Sequence, residues 1–216
     1  MIALIIFLLI VALVVNQLKK NVPNTATQKL FTIIRNAAFI GIFIAAIFSS
    51  IAQVGAGEAG VQVLFGSVQD GVLKSGLNFV NPLIDVEKMD VKTQAYTMSS
   101  IRDEGQQSGD DAISSLSMDG LTLTLDVTVW FRLSENDAPQ VYRTIGMDYV
   151  EKIVRPAVRT AIRDVSVGYS ATDIYSIKRE DFVRDITKNL ENAFNGRGII
   201  LERVLLRNVE LPERVR

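Results

Sequence analysis

The 216-residue sequence contains no cysteine and no histidine. The first absence removes disulfides, so a domain of this chain holds together by packing alone. The two together exclude Ser-His-Asp and Cys-His hydrolysis, histidine-based zinc sites and thiolate clusters. Only carboxylate, lysine or hydroxyl chemistry stays available. Negative charge is also missing over a defined stretch: all 24 acids lie at Glu58 or later, whereas Lys19, Lys20, Lys29 and Arg35 precede it. The other 19 bases leave the part after Val54 at −5, which argues against a nucleic-acid partner.

Charge of either sign is absent between positions 36 and 55. Ala37 to Val54 (AAFIGIFIAAIFSSIAQV) reaches roughly 27 Å at about 1.5 Å per residue, most of a bilayer core. A transmembrane helix is expected over 37–54, preceded by a basic cytoplasmic loop over 19–36. The positive-inside bias then places everything after Val54 on the extracytoplasmic side. A second apolar run, Met1 to Val15 within the hydrophobic segment 1–18, reads as a membrane span or an interfacial helix. A signal peptide is the alternative, but the run lacks a basic n-region and no small-x-small cleavage pattern follows it.

The soluble part is rich in strand signals first and helix signals later. Ala59 to Phe65 alternates as a half-buried strand, glycines at 66, 71 and 76 punctuate turns, and Ile84 to Met89 and Val91 to Tyr96 offer further strands. Residues 99–117 are polar and Gly/Ser-rich and read as a long loop. Leu121, Leu123, Leu125, Val127, Val129 and Phe131 alternate with polar neighbours and Trp130 in the strongest strand of the chain. Three helices follow: one capped at Ser134 and closed by Gly146, one from Asp148 with Pro156 inside it, and one capped at Ser176 that stops at Gly196-Arg197-Gly198. A strand from Ile199 to Leu211 closes the chain before Pro212. The pattern is α+β.

These residues also carry a resemblance. Asp119-Gly120 before a long strand, Gly146-x-Asp148-Tyr149, Arg155-Pro156-x-x-Arg159 with Arg163, Arg179-Glu180 and Arg197-Gly198-Ile199 resemble the SPFH (band 7) domain of stomatin, prohibitin, flotillin and HflK/C proteins. The stretch from Gly60 to Pro82 (GVQVLFGSVQDGVLKSGLNFVNP) is most similar to prohibitins, and the whole looks most like a bacterial prohibitin-type protein. The resemblance implies one N-terminal membrane anchor, from which the extra hydrophobic segment 1–18 is a departure, and an SPFH domain in two halves, 55–98 and 118–212, joined by the polar loop 99–117. Residues 213–216 then begin a coiled-coil helix, which family members usually continue.

As function the resemblance implies a membrane-anchored scaffold. It would form a large homo-oligomeric ring or cage, organise a membrane microdomain with its lipids, and regulate or enclose membrane proteins such as an FtsH-type AAA protease. The expected location is the inner (plasma) membrane with the SPFH domain in the periplasm. No catalytic residue, cofactor or metal is expected. The alternative is an extracytoplasmic carboxylate enzyme or ligand-binding domain using, for example, Asp110 and Asp111.

Two residue sets are candidates for contacts. Lys152, Arg155, Arg159 and Arg163 recur at helical spacing and could pair within the domain, meet a neighbouring subunit, stay solvated or reach lipid headgroups. Phe79, Val80, Leu83 and Ile84 flank Asn81-Pro82 and could fill the core or dip into the outer leaflet. Asp103, Glu104, Asp110 and Asp111 lack calcium-loop spacing and read as a solvated loop. Gly55-x-Gly57-x-x-Gly60 matches a dinucleotide fingerprint formally, in the wrong structural context.

Overall fold

A computed structural model describes residues 2–20, 25–101, 104–105 and 110–211. The coiled-coil start at 213–216 and Asp103 lie outside the described residues. Two helices open the chain, α1 (Ile2–Lys20) and α2 (Thr25–Ser49), packed as an antiparallel hairpin. Their seam is made by small residues: Ala12, Ala38 and Ala45 are buried with Val15, and a Cβ added at Gly41 would stand 3.4 Å from Leu8 Cδ1. Small side chains let two backbones approach closely where lipid offers no hydrophobic drive. The outer faces carry Phe7, Leu13, Ile33, Phe43 and Phe48, all exposed. Thr27–Ser49 is long and apolar enough to cross a membrane.

The membrane segment differs from its expected bounds at both ends. Lys29 and Arg35 belong to α2, which starts at Thr25, so the 19–36 loop is mostly helix. At the other end α2 stops at Ser49, and Ile51–Val54 is a strand, β1. An apolar, charge-free run does not by itself separate a helix end from a short strand. Ser50 makes the joint: its Oγ donates to Ala46 O at 2.8 Å, and its own carbonyl accepts from Val80 N at 2.7 Å.

β1 pairs antiparallel with β4 (Gly76–Phe79), and a second sheet has the order β3-β2-β5, from β2 (Glu58–Leu64), β3 (Ser67–Leu73) and β5 (Ile84–Asp90). The third sheet is built on the twelve-residue β8 (Thr122–Leu133). β6 (Gln94–Met98) and β7 (Ile113–Leu116) pair with successive parts of β8, and β9 (Ile199–Glu210) also pairs with it. Of the alternating set expected along β8, Leu123, Leu125, Val127, Val129 and Phe131 are buried and Leu121 is half-buried; the opposite face is covered in its middle, where Asp126 and Thr128 are buried too. β7 lies inside the expected 99–117 loop. Its inward positions are Ile113 and Ser115, and buried serine gives no hydropathy signal.

The helices follow β8. α3 (Ala138–Thr144) starts four residues after the expected cap: Ser134 opens a turn instead, its carbonyl accepting from Asp137 N at 3.1 Å while its N–H donates to Gly198 O at 2.8 Å. A π-helical turn at Val150–Val154 runs into α4 (Arg155–Ser166), whose first turn takes Pro156. Pro156 has no N–H to donate, and it comes just after the π-turn, where the i→i−4 ladder is already interrupted. Ser176 closes a short α5 (Ala171–Tyr175), which is capped by Ser170, and α6 (Arg179–Phe194) begins after Lys178. Phe182, Ile186, Leu190 and Phe194 of α6 join Val158 and Ile162 of α4, the inner face of β8, and Ala59, Val61 and Met89 of the second sheet in one core.

Candidate functional site

Two surfaces of this fold bear on function. The first is where the domain meets the hairpin. In the β1–β4 pair Ile51 stands opposite Phe79 and Gln53 opposite Leu77, so these four share one face. That face is apolar and open: Leu77 is 77% and Phe79 78% exposed. Large apolar groups this exposed, one residue past a membrane helix, mark a surface for lipid or protein. Of the set expected from sequence, Phe79 and Leu83 are exposed and Ile84 is half-buried, whereas Val80 is 8% exposed and packs inward. Val80 is therefore removed from the contact set, because alternation in β4 turns it away from Phe79. Leu77 and Ile51 were missed, although the same alternation counted back from Phe79 would have found Leu77.

The second surface is the basic stripe on α4. Arg155 Nη2 donates to Asp111 Oδ1 at 2.6 Å, and Arg159 Nη2 donates to the same oxygen and, at 3.1 Å, to the Asp111 carbonyl. Asp111 is 5% exposed, so two cations meet one buried anion just before β7. Charged groups leave water only when paired in this way. The hydrogen bond that Arg155 donates to Asp111 raises the Arg155 pKa against the opposing cost of burial. Lys152 donates to the Ile145 carbonyl at 3.0 Å and pairs with Asp148, whose carboxyl that contact holds below its usual range. Arg163 makes a long bond of 3.4 Å from Nε to the Ser114 carbonyl. It lies on a cleft of 440 Å³ with Leu116 and Val167, both exposed. The stripe thus divides: two arginines tie α4 to the segment just before β7, and Lys152 pairs with Asp148. Arg163 is exposed among apolar groups, with one long bond to β7.

Among the described residues, the acids of the 99–117 stretch do not converge. Glu104 pairs with Arg207 and accepts from Ser99 Oγ at 2.7 Å, the contact with Ser99 being the main cause that holds its carboxyl low. Asp110 accepts from Ala112 N, and Asp111 is taken by the two arginines. A cleft of 590 Å³ between α4 and α6 has Asp164 as its single acid. The paired carboxylates that hydrolysis would use are not assembled at either place.

Comparison with known proteins gives the same architecture a context. A family model described as SPFH domain / Band 7 family matches residues 52–216. Mitochondrial prohibitin-7 of Arabidopsis thaliana is 25% identical over 194 residues, covering 88% of this chain and 65% of that protein. Mitochondrial prohibitin-4 of the same plant is 27% identical over 169 residues, with 76% and 56% covered. Stomatin-1 of Caenorhabditis elegans is 24% identical over 174 residues, with 80% and 48% covered. The chain spans about half to two thirds of the length of these relatives.

Proposed function

Because the chain belongs to the SPFH domain / Band 7 family, we propose that it is a membrane-anchored scaffold whose copies assemble side by side into a ring or cage around a patch of membrane. The observation that carries this reading is the one-residue joint at Ser50. It fixes the domain directly on the hairpin, with Leu77 and Phe79 facing out beside it. A domain held this close to the bilayer has little freedom to rotate or lift, so neighbouring copies meet in one plane.

In this reading the lysines and arginines before Asn36 keep the hairpin tip in the cytoplasm, and the SPFH domain stands in the periplasm on the inner membrane. Ile51, Leu77, Phe79 and Leu83 rest in the outer leaflet, and Arg163 with Leu116 and Val167 meets the next subunit. The enclosed protein is a membrane protein such as an FtsH-type AAA protease, and the scaffold itself performs no catalysis. Electron microscopy of the natural full-length protein in native membrane extract tests the proposal. Closed rings or cages are expected, and a monomer in mild detergent would overturn it.

A further inference from the structure

The hairpin holds a cation, Arg35, that meets no acid among the described residues. Arg35 lies 14 residues before Ser49 in α2, or about 21 Å along the axis. Against a hydrocarbon core of about 30 Å, its backbone sits roughly 9 Å inside the edge on the tip side. Every acid lies at Glu58 or later, past the opposite end of α2. The guanidinium meets only neutral oxygens at long range: Nη1 donates to Asn16 Oδ1 at 3.5 Å and Nη2 to Asn36 Oδ1 at 3.3 Å. Its Nε is buried and has no partner among the described residues. A charge at this depth is expensive and ordinarily reaches toward the interface for an anion.

Beside it is a cleft of 210 Å³ between α1 and α2, lined by Leu9, Ala12, Leu13, Asn16, Arg35 and Phe39. Its walls are hydrocarbon, and its polar end is one cation with one amide. That is the division of a phospholipid into acyl chain and phosphate.

We propose that this cleft binds an anionic phospholipid of the tip-side leaflet. The phosphate pairs with the Arg35 fork, Asn16 Nδ2 donates a further hydrogen bond, and an acyl chain lies against Leu9, Leu13 and Phe39. Arginine's planar fork matches phosphate oxygens in pairs, which a lysine ammonium does not. The inference rests on the reading that α1 and α2 stand in the membrane.

The test uses the full chain in nanodiscs of phosphatidylcholine containing phosphatidylglycerol, with retained lipid counted by native mass spectrometry. The wild type retains phosphatidylglycerol preferentially. Arg35→Gln lowers that retention by about tenfold, the equivalent of one charge-assisted hydrogen bond, and Arg35→Lys lowers it less. Lys29→Gln removes the same charge from the same end of the hairpin, at an exposed position outside the cleft, and leaves retention unchanged. Equal losses in Lys29→Gln and Arg35→Gln would mean general surface attraction and overturn the site. So would displacement of the lipid by millimolar inorganic phosphate, or no effect of Arg35→Gln. Flotation with vesicles separates the two levels. If neither protein floats, the membrane reading fails; if both float and retain phosphatidylglycerol equally, only the lipid site fails.

Discussion

Asp111 and Arg155 stand 44 residues apart in sequence and 2.6 Å apart in space, and their contact ties the segment just before β7 to the first turn of α4. Arg159 adds a second cation to the same oxygen. Removing the anion leaves two partly buried guanidinium groups facing each other. Asp111→Asn, which keeps the shape, is expected to cost about 2 to 3 kcal/mol, below the full cost of breaking a buried pair because both arginines keep some solvent. Thermal melts followed by circular dichroism check this, and an unchanged melting temperature would remove the pair from the list of stabilising contacts.

Arg163 predicts the opposite behaviour. Its single long bond to the Ser114 carbonyl contributes little to the fold, while its surroundings are exposed and apolar. Arg163→Glu combined with Leu116→Ser should shrink the assembly in light scattering while leaving the unfolding free energy within about half a kcal/mol of wild type, as for surface substitutions generally. An assembly of unchanged size would place the subunit contact elsewhere.

Gly196 and Gly198 form a controlled pair. Both have φ near +70°, but a Cβ at Gly196 would meet nothing within 4 Å, whereas one at Gly198 would stand 2.7 Å from Asp137 Cβ and Val141 Cγ2. Gly196→Ala should cost only the left-handed backbone penalty, about 1 to 2 kcal/mol. Gly198→Ala should add an overpacking cost of about 1 to 3 kcal/mol, because α3 must move off the start of β9. Equal denaturation midpoints for the two variants would contradict this packing.

Tyr169 donates to Asp185 Oδ2 at 2.6 Å, and this bond, with burial and the nearby negative charge, pushes its pKa up to about 12. An unfolded tyrosine titrates near pH 10. The folded state therefore holds the proton more tightly, so the stabilisation is complete below about pH 10 and is lost as pH rises from there to about 12. Tyr96 is pushed to about 12 as well, mainly by burial, and contributes to the same limb. Tyr169→Phe should flatten the alkaline fall in stability. A pH series of urea midpoints reads the change.

The absence of cysteine makes the proposed membrane contact directly measurable, since one introduced thiol takes a spin label cleanly. A label at Phe79 should show the oxygen accessibility of a lipid environment in reconstituted vesicles. A label at the exposed Lys188 of α6 should show an aqueous one. An aqueous signal at position 79 would detach the β1–β4 face from the bilayer.

Local patterns carried much of this fold. β8 and α6 were legible because each repeats one apolar period over more than ten residues, Leu123 to Leu133 in steps of two and Phe182 to Phe194 in steps of four. β7 was not, because Ser115 occupies an inward position, and β1 was not, because Ile51 to Val54 continues the composition of the membrane helix. Ser170 and Ser176 are equivalent as caps in sequence; only the Asp173 N–H, which donates to Ser170 Oγ, distinguishes them. The arginine stripe announced ion pairs by its spacing. Its partner Asp111 sits across a sheet edge, and such distant pairing is set by topology rather than by any local signal.

The joint at Ser50 transmits angle as well as position. The Ser50 N–H stays bonded to the last turn of α2 while its carbonyl holds Val80, so no flexible hinge separates helix from sheet. A tilt of the hairpin is then a tilt of the domain. If copies close into a wall as proposed, thinning or bending of the enclosed bilayer would become torque at the contacts between neighbours.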